Sequence, residues 1–131
     1  MLNLQKKLSL NGITSIVLKY RTYPRRGSVI DWTETIWDKP QMAIDSAKII
    51  LPYSSKDAMT AIEVMRKNAA NYNINPNKIG LMGFSAGGAV TMETAYNSTQ
   101  KNQPNFIAPI YPWMDIVEKQ EVPSNKPPAF I

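Results

Sequence analysis

The chain has 131 residues, 44% hydrophobic and 19% charged, a length and balance that build one modest domain with a buried core rather than a disordered segment. It contains no cysteine and no histidine, which excludes disulfides, thiolate metal sites and a cysteine nucleophile and leaves no imidazole base within these residues. The net charge is +5, but basic and aromatic residues do not interleave as they do in nucleic-acid modules, and no apolar run approaches the length of a membrane span.

The opening residues MLNLQKK place their lysines after the leucines and do not read as a secretory leader. Met1, Leu4 and Leu8 recur at helical spacing before Asn11-Gly12, so residues 2–11 are expected to be the end of a helix. Residues 13–20 (ITSIVLKY) are rich in β-branched and aromatic side chains and read as a buried strand, broken by Tyr23-Pro24 and Arg25-Arg26-Gly27. Residues 21–40 show no period. Their basic Arg21, Arg25 and Arg26 and acidic Asp31, Glu34 and Asp38 read as a solvated loop rather than a phosphate groove. Trp32 and Trp37 either line a cleft as part of a flap or pin the loop to the surface, the simpler reading.

A short helix is expected from Pro40 to Pro52. A second begins at Ser54 with a capping-box-like Asp57 and carries an apolar stripe through Ala58, Ala61, Ile62, Met65, Ala69 and Tyr72. A strand at 78–84, a helix at 86–96 and an apolar strand at 105–111, interrupted by Pro109, come next. Residues 118–126 are polar connector, and 127–131 read as the start of another strand. Alternating strands and helices imply a parallel sheet covered on both faces, with its ligand site at the carboxyl ends of the strands. That edge gathers the loop after Tyr20, Ser85 and the segment Trp113-Met114-Asp115.

Gly83-Phe84-Ser85-Ala86-Gly87 sits where an apolar strand meets a small-residue helix, the order of the G-x-S-x-G nucleophile elbow. In so tight a turn the residues two before and two after the serine crowd each other, which calls for glycine at 83 and 87. The serine takes a strained conformation that exposes its hydroxyl and aims the next N–H at a reacting carbonyl oxygen. The competing reading is a glycine-rich turn whose serine only caps the following helix.

Four stretches together resemble the α/β-hydrolases of the esterase and lipase type, close to acetyl-esterase-like and polysaccharide-deacetylating carboxylesterases. They are Val17-Leu18-Lys19-Tyr20-Arg21, Ser55-Lys56-Asp57-Ala58, Asn75-Pro76-Asn77-Lys78-Ile79-Gly80, and Gly83 to Gly88. The resemblance implies a partial α/β-hydrolase fold of the α/β class. Residues 1–131 would be the central portion of one incomplete domain, without its N-terminal strands or its C-terminal strands and helices. It further implies a serine carboxylic-ester hydrolase acting through an acyl-enzyme on Ser85, with the Ala86 N–H as an oxyanion donor and Gly83 and Gly87 as elbow glycines. No metal or organic cofactor is implied. The substrates would be small-molecule or carbohydrate esters with short acyl groups; no nucleic-acid partner and no membrane span are expected, and the oligomeric state stays open.

The family's upstream strand ending in His-Gly-Gly has no counterpart before Ile13, and its triad acid and histidine belong after the strand begun at Pro128. The chain alone is therefore expected to be inactive, and the strands at Ile13 and Ile79 to face a gap between them. The alternative is a catalytically dead hydrolase-like binding or interaction domain. Asp115 occupies a place where some hydrolases hold the triad acid, but reads more simply as a turn residue or helix cap. Trp113 and Met114 either wall a substrate pocket or serve packing, and Tyr20-Arg21 is expected to be structural.

Overall fold

In the computed structural model, which describes residues 2–24 and 37–130 apart from the side chain of Leu2, the first element is α1 (Leu2–Leu10). It stops where Asn11-Gly12 predicts: the Asn11 and Gly12 N–H groups bond back to the Leu8 and Ser9 carbonyls, with Gly12 at φ 73°. Residues 13–20 depart from expectation. They form no ladder with any described residue, and Ile13, Ile16 and Val17 are at least half exposed, while Leu18 and Tyr20 rest on the core. β-branched composition favours an extended chain, but a strand exists only beside a partner that takes its backbone groups.

Side chains hold this segment instead. The Arg21 N–H donates to Asp57 Oδ2 at 2.9 Å, its Nη2 donates to Oδ1 at 2.7 Å, and Ser54 Oγ donates to the Arg21 carbonyl at 2.7 Å. The guanidinium also lies 5.3 Å from the centre of the Tyr53 ring.

Both Ser54 and Asp57 belong to the middle of α2 (Pro40–Lys67), one 28-residue helix where two were expected. Pro52 neither ends it nor starts the next. It removes one backbone bond, whose acceptor would be the carbonyl of Lys48. Pro52 and Lys48 both lie on the exposed side, so that carbonyl can face water. The opposite face buries Ala43, Leu51, Ser54, Ser55, Ala58 and Ile62. That burial holds the two halves in line. Ser54 is not a cap; its hydroxyl bonds the carbonyls of Ile50 and Arg21. A 3₁₀ turn at Ala69–Tyr72 follows, and Asn73 reverses the chain in the left-handed region at φ 51°.

The sheet is β1 (Gly80–Phe84) paired in parallel with β2 (Phe106–Ile110), and α3 (Ala86–Asn97) is the crossover between them. The alternation of a parallel ladder explains why Pro109 does not interrupt β2. Ile107 points its N–H and carbonyl away from β1, to Pro128 and Phe130, so the N–H that Pro109 lacks would also have pointed away. The same alternation turns the backbone groups of Gly80, Met82 and Phe84 to the other side of β1, where no strand stands among the described residues.

Arg66 fastens the end of α2 to the sheet, donating to the carbonyls of Pro76, Lys101 and Gln103 and to Asn105 Oδ1. That same Oδ1 accepts the Ile79 N–H at 3.0 Å, which sets the approach to β1. Leu51, Ala58, Ala89, Val90, Ile116 and Val117 form the central core, where α2 and α3 meet the 3₁₀ turn Met114–Ile116.

Candidate active site

Ser85 stands at the junction of β1 and α3 with φ 50° and ψ −116°. A non-glycine residue there carries about 1–3 kcal/mol of strain and holds it only where its surroundings fix both neighbours. They do so here. The Ser85 N–H donates to the Ile110 carbonyl at 3.1 Å, and the Ser85 carbonyl accepts from Ala89 at 3.0 Å and Trp113 at 3.1 Å.

The serine does not cap α3, which overturns the capping reading: its side chain makes no cap bond and has no hydrogen-bond partner among the described residues. It is exposed. The Ala86 N–H lies in the first helical turn, where no intrahelical acceptor exists, and finds no other backbone acceptor among the described residues.

The glycines divide the work unevenly. A Cβ on Gly83 would lie 2.0 Å from the Gly87 carbonyl oxygen, so strand and helix touch backbone to backbone there. A Cβ on Gly87 would meet only the Tyr20 hydroxyl, at an ordinary 3.7 Å. The expected crowding of 83 against 87 is present, but only a side chain at 83 would run into it. Gly88 is the second tight contact, with a Cβ reaching 2.8 Å from Pro112 Cα.

Ser85 opens into a cavity of about 610 Å³, whose other walls come from residues 20–23, from Leu51 and its neighbours on α2, and from residues 111–113. Burial raises the Tyr20 phenol above its ordinary pKa, so its hydroxyl stays protonated and available as a donor. The Arg21 side chain holds the Asp57 carboxyl below its ordinary value through their hydrogen bonds. Arg21 is the only charged residue on the described lining, and this partner compensates it.

Of Trp113-Met114-Asp115, only Trp113 reaches the cavity; Met114 and Asp115 are exposed on the 3₁₀ turn. Trp37 is 79% exposed, so it is not packed into the surface of the described residues, while Trp32, Arg25, Arg26, Asp31 and Glu34 lie outside them. Tyr111 was not singled out by its sequence. It lines the cavity at φ 36°, is 70% exposed, and sets its ring 5.9 Å from that of Phe84. Its one sequence signal is its place, directly after β2 and before Pro112, on the edge where parallel sheets bind ligands.

Residues 48–130, well over half of the chain, match the family described as having the alpha/beta hydrolase fold. The chain belongs to that family. The matched stretch holds α2 from Lys48 onward, the sheet, the elbow and the Ala129 bridge; the Tyr20-Arg21 segment falls before it. A stretch of 63 residues is 36% identical to an acetylxylan esterase of Xylanibacter ruminicola, covering 48% of this chain and 13% of that protein. The chain thus spans a small part of that relative's length, and no solved structure matches it. Among the described residues no helix is long and apolar enough to cross a membrane.

Proposed function

We propose that the chain carries the nucleophile of a serine carboxylic-ester hydrolase, and that Ser85 is that nucleophile. The observation that carries this reading is the left-handed backbone of Ser85, at a strand-to-helix turn that leaves its hydroxyl unbonded among the described residues. The Ser85 oxygen adds to the ester carbonyl carbon while its proton passes to a base. The carbonyl electron pair moves onto oxygen, facing the Ala86 N–H and the positive end of α3. Collapse of this intermediate expels the alcohol and leaves acyl-Ser85, which water then cleaves. No side chain here needs a metal or organic cofactor for these steps.

The base is the part these residues do not supply, since the chain has no histidine. Without it a serine hydrolase keeps only residual catalysis, on the order of a thousand-fold over water, so the chain alone turns over no substrate at a useful rate. The substrate class we assign is short acyl esters of neutral alcohols, acetylated carbohydrate foremost. Support comes from the acetylxylan esterase relative and from a lining whose one charge is compensated.

The test supplies the missing base. The folded chain is exposed to a fluorophosphonate with and without added imidazole, and the adduct is mapped by peptide mass spectrometry. The expected result is an imidazole-dependent adduct at Ser85, lost in Ser85→Ala and in urea. An adduct spread over other hydroxyls, or none, would remove the nucleophile assignment and favour a hydrolase-like binding domain.

A further inference from the structure

Two backbone strains lie side by side at the carboxyl edge of the sheet. Ser85 at φ 50° ends β1, and Tyr111 at φ 36° ends β2, joined through the bond from the Ser85 N–H to the Ile110 carbonyl. The strain at Ser85 has an evident use. At Tyr111 the bonds that Ser85 makes to Ile110 and Trp113, on either side of it, hold the backbone, yet the ring gains no packing from it: it is 70% exposed and buries little apolar surface. What the strained backbone does achieve is to stand the ring at the mouth of the cavity, with the Phe84 ring 5.9 Å behind it and tilted by 53°.

The geometry points to Tyr111 as the platform on which the alcohol half of the ester lies, and to a neutral pyranose ring as that half. This rests on the reading of Ser85 as the nucleophile of an ester hydrolase and names its substrate more closely. An aromatic face carries negative charge and attracts the weakly positive C–H groups of a sugar ring laid flat on it. The sugar's rim needs hydroxyl partners, and three hydroxyl-bearing residues, Tyr20, Thr22 and Tyr23, line the same cavity. The one lining charge, Arg21, is taken by Asp57 at 2.7 Å, so no uncompensated side-chain charge on the described walls is left to recruit a phosphorylated or carboxylated alcohol. A phenolic alcohol would stack on the ring but use a single hydroxyl partner. The buried apolar side, at Leu51, Val90 and Ile116, is left for the acyl group.

Binding tests this without any turnover. Xylotriose is titrated into the chain and followed through the indole signal of Trp113 in a two-dimensional NMR spectrum. The wild type is expected to bind in the millimolar range or tighter. Tyr111→Phe and Ser85→Ala should bind within about twofold of it, and Tyr111→Ala about fivefold more weakly, the scale of one aromatic contact. Tyr111→Gly separates platform from scaffold. Glycine accepts a positive φ without strain, so this variant should melt at or above the wild-type temperature while binding as poorly as Tyr111→Ala. Wild type that ignores xylotriose, Tyr111→Ala that binds it unchanged, or a preference for 4-nitrophenol over xylotriose would each overturn the proposal. So would a Tyr111→Gly chain that melts early. The Ser85 adduct is a separate readout, so loss of the platform and loss of the nucleophile are distinguishable.

Discussion

Replacing Gly83 by alanine puts a methyl group where the first turn of α3 already stands. The new Cβ would lie 2.0 Å from the Gly87 carbonyl oxygen, 2.2 Å from its carbonyl carbon and 2.8 Å from the Gly88 nitrogen. Non-bonded carbons settle near ~3.5 Å, so β1 and α3 would have to part by more than about 1 Å. All three obstacles are backbone atoms and cannot rotate aside. Nor can the helix slide, because Gly88 is closed in by Pro112. Overpacking costs about 1–3 kcal/mol where neighbours can repack; with rigid neighbours the expectation is the top of that range, about 3 kcal/mol. Gly87→Ala is the internal control. Its Cβ meets only the Tyr20 hydroxyl at 3.7 Å, and alanine in a helix is favoured over glycine by up to ~1 kcal/mol. Urea unfolding followed by circular dichroism should therefore separate the two variants by about 3–4 kcal/mol at an unchanged m-value. Equal losses, or a Gly83→Ala chain as stable as the wild type, would refute the reasoning.

Two titrating groups should give opposite pH dependences. Desolvation first, and Glu118 second, raise the Glu93 carboxyl above its ordinary 4.5, so between that value and the raised one the folded chain binds more protons than the unfolded. Stability then falls as pH rises through that window, and Glu93→Gln, which keeps an acceptor for Asn97, should unfold at higher urea than wild type at pH 7; a lower midpoint would contradict this. Asp57, held below its ordinary 3.8 by Arg21, contributes stability that is present above 3.8 and lost as pH falls through its folded value. Asp57→Asn should therefore flatten the acid limb of the stability curve and loosen residues 13–24, seen as faster amide exchange at Arg21. Arg66→Lys cannot reproduce a planar fork that reaches three carbonyls and a side-chain oxygen. A loss of about 2 kcal/mol in urea unfolding is expected, and a lysine variant of wild-type stability would sink that account.

What could be read from the residues was what neighbouring residues decide among themselves. The close approach at Gly83, the stop of α1 and the strands around Gly80 and Phe106 follow from spacing and turn chemistry within a few positions. Residues 13–20 have every local mark of a strand and form none with the described residues, because a ladder depends on a partner that composition does not reveal. Pro52 misled for a related reason: a proline's cost is local, whereas the burial of Leu51, Ser54, Ser55 and Ala58 that carries the helix through it is tertiary. The capping-box look of Ser54 and Asp57 dissolved in the same way, since both reach across to Arg21. Tyr111 was invisible because nothing in its side chain announces a positive φ. Its conformation is imposed by the Ser85–Ile110 and Ser85–Trp113 bonds on either side of it.

Position 85 can be made to report its own electrostatics. The chain contains no cysteine, so Ser85→Cys carries a single thiol, at a helix start where N–H groups without backbone acceptors among the described residues await an anion. The pH dependence of its alkylation by iodoacetamide gives the thiol pKa directly. If the turn is built to hold a nucleophile and stabilise negative charge beside Ala86, that pKa should lie clearly below the free value of about 8.5 and return to it in urea. A thiol that titrates at or above ~8.5 in the folded chain would contradict the assignment of Ser85 as the nucleophile.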